Sequence, residues 1–589
     1  MIDGDRNNCP YQLSNERDEG DINTVHLRQR ARTAGAEFER GGERIFTVCD
    51  FVPFRIFNST EPKVQISMIN YSYIKWAGRF FGPAIKSMKS TSALSLCVAA
   101  AFTARAGHDN REPDLPPVCD RIAASDDNKV VFHVFAVGVQ IYHWDGTNWV
   151  FVAPQATLFA DAKHHSQVGT HFGTPAGPAW ETTSGSRVVE QRVDGCTPDA
   201  SAIQWLLLRT ISEQGNGVLH GVSFVQRVNT VGGLAPTTPG TFVGQESQMP
   251  YTSEYFFYRS TAKVYAQDNL VSDLPGAAQL QDTNLVNSWG LTFSGTGPFW
   301  VGNNGSGLAT LYAVTNDATG AEVVVKQALQ VKIPGAGKPT GVIPNTGAGF
   351  HGDVFLFATL DGIVAGWRGA LGTNAETLAT RPGAVYTGLA LATNSTGQLL
   401  LVANFAEGTV DAYGTNASLV RQFSDPNAPA GYAPFNVQVI NGVVFVMFAK
   451  PDAGRGHGLI DVFDPETGAF HRFVTGSDAG GKLQQIDSPW GVALAPNSFG
   501  KHGGELLVGN FGDGTIMTFG PDGDFHGLLK GVDHHPIQLE GLWGLTFGNG
   551  GRAGSPDRLF FASGPAGETH GLFGSLKPVS EAGSKKKYY

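Results

Sequence analysis

Oxygen-bearing side chains recur at set places in the second half of this chain, and oxygen is what a hard cation binds. Asn287, Asp487 and Glu540 stand just before apolar segments, whereas Asn303, Asn404 and Asn510 end them. Carboxylates and amide carbonyls gathered round one opening can coordinate Ca²⁺, which takes about six to eight oxygens. Such an ion could polarise a carbonyl and activate water. The same residues have a plainer use. Asn ahead of a glycine tolerates left-handed backbone angles and closes the turn with its own side chain, and the acids could bond nearby backbone amides. Glu568 and His570 form a second possible acid/base pair.

The first half offers His164, His165, His171, Glu181 and Arg227. Neighbouring histidines on a strand face opposite sides, so His164 and His165 could share a metal only across a bulge. Glu181 and Arg227 could pair as a buried or rim salt bridge. No GxSxG elbow, HExxH, P-loop or GxGxxG after a strand is present, so no standard signature argues for catalysis.

What must position the oxygens is a repeat. An apolar strand ending in a small residue and followed by a turn occurs six times, at Trp300–Gly305, Phe357–Gly362, Val402–Phe405, Val446–Lys450, Val508–Gly514 and Phe560–Gly564. Before it lies an inner-strand start, as in Asn287-Ser288-Trp289-Gly290, Pro489-Trp490-Gly491 and Gly541-Leu542-Trp543-Gly544. A hairpin follows it, as in Asp464-Pro465-Glu466-Thr467-Gly468. Three such elements give four antiparallel strands, one propeller blade. Residues 264–578 allow about 52 per repeat, close to the usual blade length. The last repeat stops after its third strand, His570–Lys577. Thr261–Leu270 has no partner of its own and is expected to supply the missing outer strand and close the ring. In a blade, the loop into the inner strand and the turn between strands two and three lie at one end, so the oxygen-bearing side chains should converge on one mouth.

Earlier, from Lys129, β-branched and aromatic runs alternate with turns. Lys129–Val139, Gln140–Trp144, Trp149–Val152, Arg187–Val193, Ile203–Leu208, Gly221–Arg227 and Tyr251–Tyr258 read as strands, with Asp145-Gly146 as a hairpin turn. The fold class is therefore all-β, a six-bladed propeller over 261–578 preceded by a smaller sandwich or barrel over 115–260. Gly177-Pro178-Ala179-Trp180-Glu181, Ile203-Gln204-Trp205-Leu206-Leu207, Gln226–Gly233 with Ala235-Pro236, and Tyr251–Tyr258 carry a resemblance to a domain-of-unknown-function family of bacterial and fungal secreted proteins. In that family a cysteine often follows the Gly-Gly-x-Ala-Pro segment, where Thr237 and Thr238 stand here. The second half, through Asp282–Gly290, Gly541–Gly548 and Gly564-Pro565 with Glu568, His570 and Gly571–Gly574, resembles an uncharacterised bacterial six-bladed propeller family of NHL-like style. Members often end in a Pro-Glu-Pro sorting tail and a membrane span. Lys577 to Tyr589 holds no such pattern, so anchoring by that route is not expected. The related six-bladed lactonases use a mouth cation in outline, but none of their motifs matches here residue by residue.

Charged residues make up only 16% of the 589 residues, the 76 glycines suit many tight turns, and the formal charge is −10. No basic stripe argues for nucleic acid beyond Lys585-Lys586-Lys587, part of a solvated tail over 579–589. Met88-Lys89, the apolar Ala93–Phe102 and Ala104-Arg105-Ala106 have the order of a signal peptide over 88–106, which would make 1–87 a mis-assigned extension. An ordinary apolar segment is the alternative reading. Cleavage there would leave Cys119 and Cys196, a candidate disulfide in a secreted or periplasmic chain. Two readings of function stand. One is an extracytoplasmic binding protein whose propeller mouth takes a small molecule, glycan or protein. The other is a metal-dependent hydrolase or lyase acting at that mouth.

Overall fold

The computed structural model describes residues 111–317, 320–450, 457–475 and 486–580. The proposed leader, the extension before it, and all but the first two residues of the proposed tail lie outside these.

The first domain is a closed eight-stranded barrel. Its strands are β1 (Asn128–Trp144), β2 (Trp149–Phe159), β3 (Gln167–Thr174), β4 (Gly177–Thr182), β5 (Arg187–Cys196), β6 (Trp205–Gln214), β7 (Phe224–Gly232) and β8 (Glu246–Ser260). Each pairs antiparallel with the next, and β8 returns to β1 with Phe135 opposite Glu254, so no edge is left open to another chain. The two strands read over Lys129–Trp144 are one, because its partners continue along both sides through the bulge at Ile141/Tyr142. β3 and β4 escaped the sequence reading. The glycines of both strands and Pro178 of β4 are poor strand formers, and ladder pairing makes them strands anyway.

Side-chain alternation sets the barrel's inner face. Val134 and Ala136 of β1, Ala156 and Leu158 of β2, Trp180 of β4, Leu208 of β6, Val225 of β7 and Tyr255 and Phe257 of β8 share one buried cluster. A 3₁₀ turn over Pro117–Ile122 covers part of the outside, tied down by a Cys119–Cys196 disulfide.

The second domain is a six-bladed propeller. All six anticipated second strands are present, at Phe299–Asn303, Phe355–Thr359, Gly397–Asn404, Val443–Ala449, Leu506–Asn510 and Leu559–Ser563. The strand β9 (Val264–Ser272) lies antiparallel to Leu572–Val579 as the outer strand of the sixth blade, with Gln267 opposite Leu576. First and last elements of the domain thus share one sheet, which makes ring closure part of the hydrogen-bond ladder. A two-residue strand, Leu280–Gln281, pairs parallel outside β9 and had no signal in the sequence. Asn497 Nδ2 donates to Glu213 Oε2 at 2.9 Å, and Arg209 Nε lies 2.8 Å from Asp557 Oδ1, linking barrel to propeller.

Candidate functional site

The blade geometry brings inner-strand leads and second-strand turns together. The Asn304 N–H donates to the Asn287 carbonyl, Phe405 N–H to Val385, Phe511 N–H to Ser488 and Gly564 N–H to Gly541. The side chains ending the second strands point into these turns. Fully buried Asn303 accepts from Ser288 Oγ and donates to Thr310 Oγ1 at 2.9 Å. Fully buried Asn404 donates to Asp411 Oδ2 at 3.1 Å, its oxygen facing the Val385 and Glu407 N–H groups. Fully buried Asn510 accepts the Asp487 N–H and donates to Thr515 Oγ1. Their amide oxygens are thereby engaged inside the turns. Asp487 is also buried, folded over Gly512, where a Cβ would meet its carboxylate at 2.3 Å. Among the described residues, no three His, Cys, Asp or Glu side chains gather as a metal site.

Asn287 has a left-handed backbone (φ 49°) and stands at the junction of the first and sixth blades. Its amide donates to Glu568 Oε2 at 2.7 Å and accepts from Trp289 Nε1 at 2.9 Å, while its backbone N–H reaches the His570 carbonyl. Glu568 and His570 therefore have different partners. His570 Nδ1 lies 2.7 Å from Asp273 Oδ2, a residue that sequence reasoning missed because it sits about three hundred positions away in the strand-closure loop. Exposed Glu540 accepts the Gly567 N–H at 3.2 Å. It borders an open notch of about 260 Å³ with Gly512, Asp513, Gly514, Gln538 and Gly541.

The propeller axis itself is filled. Trp289, Phe435, Trp490 and Trp543 come from equivalent inner-strand positions and form one buried cluster with Ala449. Trp289 and Trp543 stack at 3.5 Å between ring centroids, and Trp490 meets Trp543 edge-on at 5.8 Å. Trp490 Nε1 crosses to donate to the Thr387 carbonyl of the third blade. Leu360, Phe405 and Phe511 each follow a second-strand end, and these half-buried side chains pack on this cluster, Phe511 stacking on Trp543 at 4.0 Å. The mouth thus has an apolar, aromatic floor. The sequence showed the tryptophans as strand markers; their shared register one residue before Gly290, Gly491 and Gly544 was the available signal for the plug.

In the barrel, Glu181 and Arg227 do not pair. Glu181 alternates outward from inward Trp180 and binds Arg187 directly across the ladder at 2.6 Å, whereas Arg227 is opposite inward Tyr255. Arg227 instead donates to the Gln204 carbonyl through Nε and Nη2, at 3.1 and 2.8 Å. His164 and His165 lie in a turn, the latter 3.4 Å from Asp161.

Buried His171 stacks on Trp180 and pairs through Nδ1 with the Ala179 carbonyl. Burial depresses its pKa from 6.5 to about 3. The folded barrel therefore refuses a proton that the unfolded chain accepts below about pH 6.5, and stability from this group is lost as pH falls towards 3. Glu190, raised well above its ordinary value by burial, acts in the opposite sense, adding stability at low pH that is lost as pH rises. A His171→Gln variant isolates the first effect. Urea unfolding of the two proteins should show the wild type losing about 2 kcal/mol relative to the variant between pH 7 and 5. A constant difference would mean that His171 takes up its proton in the fold as readily as in the unfolded chain.

A family model described as a protein of unknown function (DUF3455) matches residues 124–259, which is the barrel. Two uncharacterised proteins of Acanthamoeba polyphaga mimivirus are 26% and 25% identical, over 47% and 54% of this chain and 72% and 87% of their own lengths. Among solved structures, a streptogramin B lyase is similar at 14% identity and TM-score 0.34, over 54% of this chain and 97% of its own. A Bacteroides thetaiotaomicron protein of unknown function is similar at 9% identity and TM-score 0.37, over 66% and 98%. At these TM-scores neither likeness carries an inference about activity.

Proposed function

We propose that this is an extracytoplasmic binding protein whose propeller mouth takes a small molecule or glycan with an apolar face. The observation that carries this reading is the floor of Phe405 and Phe511 over the axial aromatic cluster, beside a notch edged by Glu540. Half-buried aromatic faces with a polar rim suit a ligand that stacks on one side and hydrogen-bonds at its edge. Two buried polar atoms near the axis, Trp543 Nε1 and Thr387 Oγ1, lack hydrogen-bond partners among the described residues and give an acceptor-bearing ligand further reason to settle there. The Cys119–Cys196 disulfide supports an oxidising compartment. Among the described residues, no helix is long and apolar enough to cross a membrane.

Screening the full chain against glycan and small-molecule libraries tests this. A hit should weaken by about tenfold or more in Phe405→Ala/Phe511→Ala, the scale of losing one or two stacking contacts. Hits that bind the double variant unchanged would place the site elsewhere. The hydrolase or lyase reading keeps one observation in its favour, the Asp273–His570 pair, since a carboxylate-held imidazole can move protons. Lactone or ester turnover abolished by His570→Ala would replace the binding reading.

A further inference from the structure

The barrel interior holds polar atoms that its own walls do not satisfy. Gln140 Nε2, Trp180 Nε1, Glu190 Oε2 and Ser253 Oγ are buried and have no hydrogen-bond partner among the described residues. Ladder register turns all four inward. Trp180 is opposite inward His171, Ser253 is opposite inward Ala136, and Glu190 is opposite Thr210, whose hydroxyl satisfies only the other carboxylate oxygen. Gln140 is two residues beyond Gly138, on the same face. Buried polar groups are almost always paired, so four orphans facing one lumen need a common explanation. An eight-stranded barrel is wide enough either to be filled by its side chains or to hold one small ligand. Here Ala136, Gly138, Ala156 and Gly169 lie together on one wall, beside Val134 and Leu158.

Charge narrows the ligand class. Arg227 points into the same lumen, donates only to a backbone carbonyl, and has no carboxylate partner among the described residues. Its charge is felt at Tyr142, His171 and Tyr251, which places it close to the orphan groups. Among the described residues no charge inside offsets it: burial keeps His171 uncharged and drives Glu190 towards its neutral form. Arg227 is also half-buried, so part of it meets solvent. A guanidinium with free donors and no counter-charge suits a planar carboxylate.

We propose that the barrel is a binding chamber for a small organic carboxylate, held by Arg227, with Gln140, Ser253 and the Trp180 indole supplying the neutral hydrogen bonds. The chamber is separate from the propeller mouth, and either site can fail alone. The test titrates the full chain with sodium acetate, and with acetamide at matched ionic strength, following each probe by saturation-transfer NMR. Acetate should bind saturably and acetamide about tenfold or more weakly. Arg227→Gln should lower acetate affinity by about tenfold or more, and Ser253→Ala by about three- to fivefold, with Phe405→Ala/Phe511→Ala unchanged. Thermal melts identify folded variants, and Ser253→Ala decides the matter if Arg227→Gln does not fold. Absence of saturable acetate binding overturns the proposal, leaving interior water as the orphans' partner. Equal binding of acetate and acetamide, or undiminished affinity in folded Arg227→Gln or Ser253→Ala, overturns it as well.

Discussion

Replacing Trp543 by alanine is expected to destabilise the propeller by about 3–5 kcal/mol, the range for removing a large buried aromatic side chain. The residue is 1% exposed and sits where four rings meet: Trp289 at 3.5 Å, Phe511 at 4.0 Å, Phe435 at 5.6 Å and Trp490 at 5.8 Å. These partners come from the first, fourth and fifth blades, so the loss falls on the contacts that hold blades to one another across the axis. Trp289→Ala removes many of the same contacts, and the double variant should cost less than the sum. Trp543→Phe gives the internal control. It keeps part of the stack and deletes an indole N–H that has no acceptor among the described residues, so it should cost clearly less than alanine. Denaturant unfolding of the four variants measures this. A Trp543→Ala cost below about 1 kcal/mol would mean that the rings merely fill space that the inner strands would hold open unaided.

The parts of this architecture that were legible in the sequence are those fixed by local repetition. Each second strand ends where a small residue meets a turn, and six recurrences gave both the blade number and the need for a closing strand, met by Val264–Ser272. Direction followed as well, since antiparallel order alone brings Asn287 beside Asn304 and Asp487 beside Gly512. What spacing could not give is the orientation of each side chain. Asn303, Asn404 and Asn510 stand at the mouth end of their strands, but their amides turn back to close their own turns, and that choice depends on partners such as Ser288, Asp411 and Thr515. The barrel illustrates the same limit. Glu181 and Arg227 are both polar and both near aromatic residues, and only the ladder register shows that one faces solvent and the other the lumen. Glu190, Gln140 and Ser253 went unnoticed because a buried polar residue in a strand looks, in sequence, like any solvent-facing one.

Severing the Cys119–Cys196 bond should cost the barrel about 4 kcal/mol. The cysteines are 77 positions apart, and closing a loop of that length restricts the unfolded chain by about this much in the chain-entropy account. Both sulfurs are buried, and the bond anchors the 3₁₀ turn Pro117–Ile122 to the end of β5. The anchored turn covers Val130, Phe224, Phe256 and Tyr258 on the outer barrel surface, and the Ile122 carbonyl accepts from Gln226 Nε2 at 2.7 Å. Loss of the bond thus loosens a lid over apolar surface as well as lengthening the free chain, so Cys119→Ala/Cys196→Ala should unfold at clearly lower urea concentration. The effect should be confined to the barrel, since the buried cluster around both cysteines is made, among the described residues, of barrel side chains. Hydrogen exchange distinguishes the two domains: amides of β1, β5 and β7 should lose protection in the variant while those of the inner propeller strands keep theirs. Equal loss in both domains would show instead that barrel and propeller unfold as one unit, joined through Asn497–Glu213 and Arg209–Asp557.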